Sequence, residues 1–206
     1  TSNNNINSVA KNGNVVETTF KTSHPVKITE GKVAGKNVTF ESEDGMNWKG
    51  YYTVANGDTV DNGFISLLLK IDDDAENEQL QVTENTSGLQ KITYYAPIKV
   101  YDVVIKSSNG VDATKYAKNG DVIYVTFKTN HDARITSANI VGKACAQTKN
   151  DTSGIEKQWT LTYRINNGDL RDLSVVPFEF KVDDIAGNDP WIQNHTNGVR
   201  NRITYY

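Results

Sequence analysis

A single cysteine, Cys145, stands among 206 residues, so an internal disulfide, including the inter-sheet bridge of antibody-type domains, is excluded. Cysteine scarcity fits an exported bacterial protein and a cytoplasmic one equally. Long apolar runs are missing too. The best, Ile65-Ser66-Leu67-Leu68-Leu69, is strand-sized and far short of a bilayer-crossing helix, so direct membrane insertion is not expected. No charge of one sign dominates: Lys+Arg 22 against Asp+Glu 25 leaves no basic stripe for nucleic acid. There is no G-x-S-x-G elbow and no zinc spacing, and a catalytic or metal-bound His24, His131 or His195 would need convergent partners. No enzyme is expected. No leader, lipidation motif or tail anchor is visible, and the chain opens at Thr1 rather than Met, as expected of a fragment or processed product.

What the sequence does have is duplication. Ala10-Lys11-Asn12-Gly13 recurs as Ala117-Lys118-Asn119-Gly120, and Thr19-Phe20-Lys21-Thr22 as Thr126-Phe127-Lys128-Thr129, at an offset of 107 (126 minus 19). Further on the offset becomes 111: Trp48 matches Trp159, Asn56-Gly57-Asp58 matches Asn167-Gly168-Asp169, and Ile92-Thr93-Tyr94-Tyr95 matches Ile203-Thr204-Tyr205-Tyr206. The difference of four places a short insertion in the second copy, in a polar loop near Thr148 to Ile155. Such self-similarity marks a repeated structural unit. Thr1 corresponds to Ser108 at the first offset, so the first copy is expected to begin just after its own first strand. Either the fragment was cut there or that strand comes from elsewhere.

The second copy reads as short strands. Val100 to Ser107 is rich in β-branched residues; Asp121 to Thr129 places Ile123, Val125 and Phe127 on one face; Ala133 to Val141 follows. Lys157 to Ile165 alternates, with Trp159, Leu161, Tyr163 and Ile165 inward, as a half-buried strand does. Val176 to Val182 points Phe178, Phe180 and Val182 inward, and Val199 to Tyr206 is the last. Six or seven strands separated by Gly, Asn and Asp turns, with no helical period, predict an all-β sandwich. The fold class is therefore two tandem immunoglobulin-like β-sandwich domains, 1–96 and 97–206. The tether around Ala96-Pro97 is expected to limit bending and give an elongated arrangement.

Three features per copy carry a family resemblance: the Ala-Lys-Asn-Gly turn before Thr-Phe-Lys-Thr, the Trp-x-x-x-Tyr strand, and a strand ending in Asp-Asp-x-Ala-x-Asn. In these the chain resembles the bacterial immunoglobulin-like (Big-type) repeats found in tandem in surface proteins and adhesins. Asp183-Asp184-Ile185-Ala186-Gly187-Asn188 matches the last pattern well; Asp72-Asp73-Asp74-Ala75-Glu76-Asn77 departs from it at Glu76. The resemblance implies a secreted or cell-surface location and a non-catalytic role as adhesion module or structural spacer. Neighbouring repeats of a parent protein, and a protein or glycan on a cell surface, are its expected partners. The alternative is a carbohydrate-binding accessory module of a larger secreted protein.

The candidate sites follow. Asp72, Asp73, Asp74 and Asn77, and in the second copy Asp183, Asp184 and Asn188, offer oxygens for calcium, and some members of the resembling family hold calcium at such loops. The competing reading is turn chemistry, in which Asp and Asn accept backbone N–H bonds; no spacing matches the twelve-residue calcium loop. His24 and His131 read as structural turn residues. Tyr95 and Tyr206 each follow another tyrosine in a strand, so one ring of each pair faces outward, and Trp191 lies in a loop after Asp189-Pro190. Exposed aromatics of this kind stack on sugars or anchor a protein interface. Trp48 and Trp159 are in phase with the core, and Cys145 aligns with Val38, an apolar slot where a buried, inert thiol is expected.

Overall fold

The computed structural model describes residues 1–73, 75, 77–83, 91–150, 154, 156–196 and 202–206. Within them the chain is all-β, without helix, and it divides into two compact units, Thr1–Pro97 and Ile98–Tyr206.

The first unit contains β1 (Val9–Ala10), β2 (Val15–Lys21), β3 (Lys27–Val33), β4 (Lys36–Asn37), β5 (Phe40–Glu41), β6 (Asn47–Thr53), β7 (Leu67–Asp72), β8 (Leu80–Val82) and β9 (Thr93–Tyr94). The second contains β10 (Val100–Ser107), β11 (Tyr116–Ala117), β12 (Val122–Thr129), β13 (Arg134–Ile140), β14 (Lys143–Ala144), β15 (Ala146–Asn150), β16 (Lys157–Arg164), β17 (Phe178–Asp183), β18 (Trp191–Gln193) and β19 (Thr204–Tyr205).

In the second unit the sheets run β10-β12-β16-β15 and β14-β13-β17-β18, and β11 pairs in parallel with β19. Set aside the two-residue strands and number the rest in order. One sheet is then 1-2-5-4 and the other 3-6-7, the strand order of a constant-type immunoglobulin sandwich. The first unit repeats it as β2-β6-β5 and β4-β3-β7-β8, with β1 parallel to β9. Among the described residues no full strand stands beside β2 in the place that β10 takes beside β12.

Alternation builds the core. Ile123, Val125 and Phe127 of β12 and Trp159 and Leu161 of β16 are buried against Ile140, Phe180 and Val182 of the facing sheet. Phe127 stacks on Phe180 with ring centroids 4.1 Å apart. Strand β10 alternates too, but with a slip: its register shifts by one residue between Tyr101 and Val104, and Asp102 takes a φ of 53°. This bulge lets Val100, Val103 and Ile105 all face inward.

The first unit has a smaller interior in two parts, one around Ala10, Val16, Val33, Val54 and Tyr94, the other around Phe40, Leu69 and Ile71. Phe40 compensates for missing side chains. A Cβ on Gly31 would come within 2.6 Å of its ring, and one on Gly50 within 2.7 Å. By register, the second unit has Ala138, Leu161 and Gln147 at those three positions. One large ring thus replaces two core side chains, and glycine is required by space rather than by backbone angle.

Four expectations need correction. Pairing sets Ser2 opposite Val16 as Ser107 is opposite Ile123, so Thr1 stands at the place of Lys106, not Ser108. Short insertions in the loop before β11 displace the sequence match there. Trp191 lies in strand β18, paired with Val182, not in a loop. Ala146–Asn150, including the start of the expected polar loop, is an exposed edge strand. Cys145 is half-buried rather than buried, with its thiol pushed up by burial.

Candidate functional site

The residues that carry charge and chemistry gather at one recurring turn. In the second unit it joins the end of β12 to the end of β17. His131 Nε2 lies 3.3 Å from Asp184 Oδ2, and both side chains are 0% exposed. The Asn188 backbone N–H donates to Asp184 Oδ1 at 3.1 Å, and its side-chain amide to Oδ2 at 2.8 Å. Thr129 Oγ1 donates to the His131 carbonyl at 2.8 Å and accepts from Trp159 Nε1 at 3.2 Å, which ties the turn to the core tryptophan.

The first unit builds the same lock. His24 Nε2 lies 3.3 Å from Asp73 Oδ2, and Asn77 donates its backbone N–H to Asp73 Oδ1 at 3.3 Å and its amide to Oδ2 at 2.8 Å. The Ala75 N–H adds a bond of 2.9 Å. Here the His24 side chain is 58% exposed. Beside it, Ser23 Oγ is 3.0 Å from His24 Nδ1.

These bonds set the carboxylates. Burial pushes Asp184 up, but the bonds from His131 and Asn188 outweigh it and hold it below its ordinary value. Asp73 is lowered chiefly by the Asn77 side-chain amide.

As a calcium cage the arrangement fits poorly. A hard cation takes six to eight oxygens, whereas both oxygens of Asp184 and of Asp73 already accept bonds inside the turn. Asp72 Oδ1 accepts the Asp73 N–H at 3.0 Å, and Asp183 lies in β17 opposite Arg134. Among the described residues, no three His, Cys, Asp or Glu side chains converge. Asp74 lies outside the described residues.

The aromatic candidates separate. Trp191 is half-buried against the core and donates its Nε1–H to Gln193 Oε1 at 2.9 Å. Tyr95 is half-buried just beyond β9. Tyr206 is 56% exposed, its ring edge-on to Tyr116 with centroids 5.4 Å apart. Sequence reading missed the joining of each histidine to its aspartate. The signal was there: His24 and Asp73 are 49 apart and His131 and Asp184 are 53 apart, a difference equal to the four-residue insertion.

No family model matches the chain, and no curated protein matches it. Among solved structures it is similar to the full ectodomain (Ig1–Ig3) of mouse nectin-like molecule 4, at 10% identity and a TM-score of 0.43, covering 96% of this chain and 66% of that one. It is also similar to an endo-fucoidan hydrolase of glycoside hydrolase family 107, at 13% identity and a TM-score of 0.29, covering 96% of this chain and 27% of that one. The chain thus spans about two thirds of the first and about a quarter of the second. Superpositions this loose carry no argument, and the immunoglobulin-like assignment rests on the strand order.

Proposed function

We propose that the chain is a non-catalytic, immunoglobulin-like adhesion or spacer module of a secreted or cell-surface protein, of the kind seen in bacterial immunoglobulin-like repeats. One observation carries the reading: the groups able to do chemistry are spent on structure. The His–Asp–Asn lock is kept in both units, and in the second it is sealed from any substrate. The hydroxyl that gives Ser23-His24-Asp73 the outline of a hydrolytic triad is not kept, since Asn130 stands in its place. A duplication that retains the lock and drops the nucleophile favours turn stability over turnover.

A serine-directed fluorophosphonate probe tests this. Wild type and Ser23→Ala are expected to be equally unlabelled, while labelling of wild type that Ser23→Ala abolishes would overturn the proposal. The Tyr206–Tyr116 pair favours a second reading, a carbohydrate-binding accessory module, because an exposed ring can stack on a sugar. Glycan-array binding lost in Tyr206→Ala would support that reading.

A further inference from the structure

We propose that Asn167 is a modification site. It deamidates spontaneously, with water as co-reactant, to aspartate and isoaspartate, and does so ahead of the other Asn–Gly pairs among the described residues.

The chemistry needs a free nucleophile. The backbone nitrogen of the following residue attacks the asparagine Cγ and loses its proton, and ammonia departs as a cyclic succinimide closes. Water then adds to either ring carbonyl. One opening gives aspartate; the other routes the backbone through the side chain and gives isoaspartate. A following glycine favours closure, because no Cβ hinders the approach. A hydrogen bond that occupies the glycine N–H, or that holds the asparagine amide elsewhere, opposes it.

Seven Asn–Gly pairs stand in the sequence, of which Asn197-Gly198 lies outside the described residues. In three of the others the glycine N–H is engaged. Gly13 donates to the Val54 carbonyl at 2.8 Å, Gly63 to that of Val60 at 2.9 Å, and Gly120 to that of Ile165 at 2.9 Å. At Asn109-Gly110 the side chain is held instead: Oδ1 accepts the Val111 N–H at 2.9 Å, and Nδ2 donates to Asp121 Oδ2 at 3.0 Å.

The remaining two pairs form a comparison that the duplication itself supplies. Asn56-Gly57-Asp58 and Asn167-Gly168-Asp169 share one sequence, and the asparagine and glycine of each are exposed. They share one turn as well. Asp58 donates its N–H to the Ala55 carbonyl and Asp169 to that of Asn166, both at 3.2 Å, and the glycines have φ of 90° and 86°. In the first turn the Tyr94 hydroxyl occupies both reacting groups. It accepts the Gly57 N–H and donates to Asn56 Oδ1 at 3.4 Å. Tyr205 is the counterpart of Tyr94, yet among the described residues its hydroxyl holds neither Gly168 nor Asn167. Of the described pairs, Asn167-Gly168 alone leaves both the nitrogen and the side-chain amide unengaged.

The product changes the turn. Either form adds a carboxylate beside Asp169. The isoaspartyl form also lengthens the backbone by a methylene between Asn166 and Asp169, the two residues whose bond closes the turn.

The test incubates the full chain at mildly alkaline pH and maps it by trypsin digestion and tandem mass spectrometry. Cleavage after Lys49, Lys70, Arg164 and Arg171 releases residues 50–70 and 165–171 as separate peptides. Asn167 is expected to convert about tenfold faster than Asn56, the equivalent of about one hydrogen bond. In urea the two rates should converge, because the local sequences match. Tyr94→Phe should bring Asn56 up towards the rate of Asn167 and leave Asn167 unchanged. Equal rates in the folded wild type overturn the proposal, as does faster conversion at any other described Asn–Gly pair. A contrast that persists in urea also overturns it, since the cause would then not be the fold.

Discussion

His131 and His24 reach their aspartates over the same 3.3 Å, yet one pair is sealed from water and the other stands open. In the second unit the residue before the histidine is tied to the chain just ahead of β10: the Lys99 N–H donates to Asn130 Oδ1 at 2.7 Å, and the Asn130 N–H to the Lys99 carbonyl at 3.3 Å. A buried pair leaves an uncompensated charge when one partner is removed. His131→Ala should therefore destabilise the second unit by about 3 kcal/mol, while His24→Ala should scarcely move the first. Urea denaturation of both variants reads the contrast.

The same lock predicts an acid dependence. Asp184 is held below its ordinary value in the folded chain, so its contribution is complete above the unfolded value of about 3.9. It is lost as pH falls through the lower, folded value. Asn188→Ala removes the side-chain amide bond to Oδ2, one of those that lower it, and keeps the backbone N–H bond. That variant should raise the titration of Asp184, followed by carboxyl chemical shift, and cost stability at pH 7 but much less at pH 2.

Much of the second unit was legible because apolar alternation is strong there: β12, β16 and β17 fall where Ile123, Leu161 and Phe180 placed them, and β13 falls within the expected span Ala133 to Val141. Short strands were not. Trp191–Gln193 is too brief to show a period, and all of Ala146–Asn150 is exposed, so hydrophobicity gave no sign of it. The histidine locks escaped notice because their partners lie across the turn on another strand, joined by pairing rather than by local sequence. The slip at Asp102 was equally hidden, since a bulge changes the inward phase without a composition signal.

Phe40 and the two glycines beneath it form a coupled set. Gly50→Leu, the residue found at Leu161, should cost about 2–3 kcal/mol by overpacking against the ring. Combining it with Phe40→Gln should recover part of that loss, giving a coupling of about 1 kcal/mol or more in a double-mutant cycle.

Trp191 separates packing from ligand binding. Its ring is half-buried on the core, so Trp191→Ala should lower stability by about 1–2 kcal/mol and leave any glycan binding intact at temperatures where the variant is folded.

Calcium should have no hold on the acidic turns, because their carboxylates are already engaged. Melting curves recorded with calcium and with chelator are expected to coincide; a rise of several degrees in calcium would show an ion bound at these turns or elsewhere in the chain.

A double-mutant cycle of His131→Ala and Asp184→Ala, read by urea denaturation, most directly tests whether the recurring lock serves structure. A coupling of about 1 kcal/mol or more between the two positions is the expected result. Strictly additive losses would mean that the pair does not hold the turn, and the structural reading of the lock would fall.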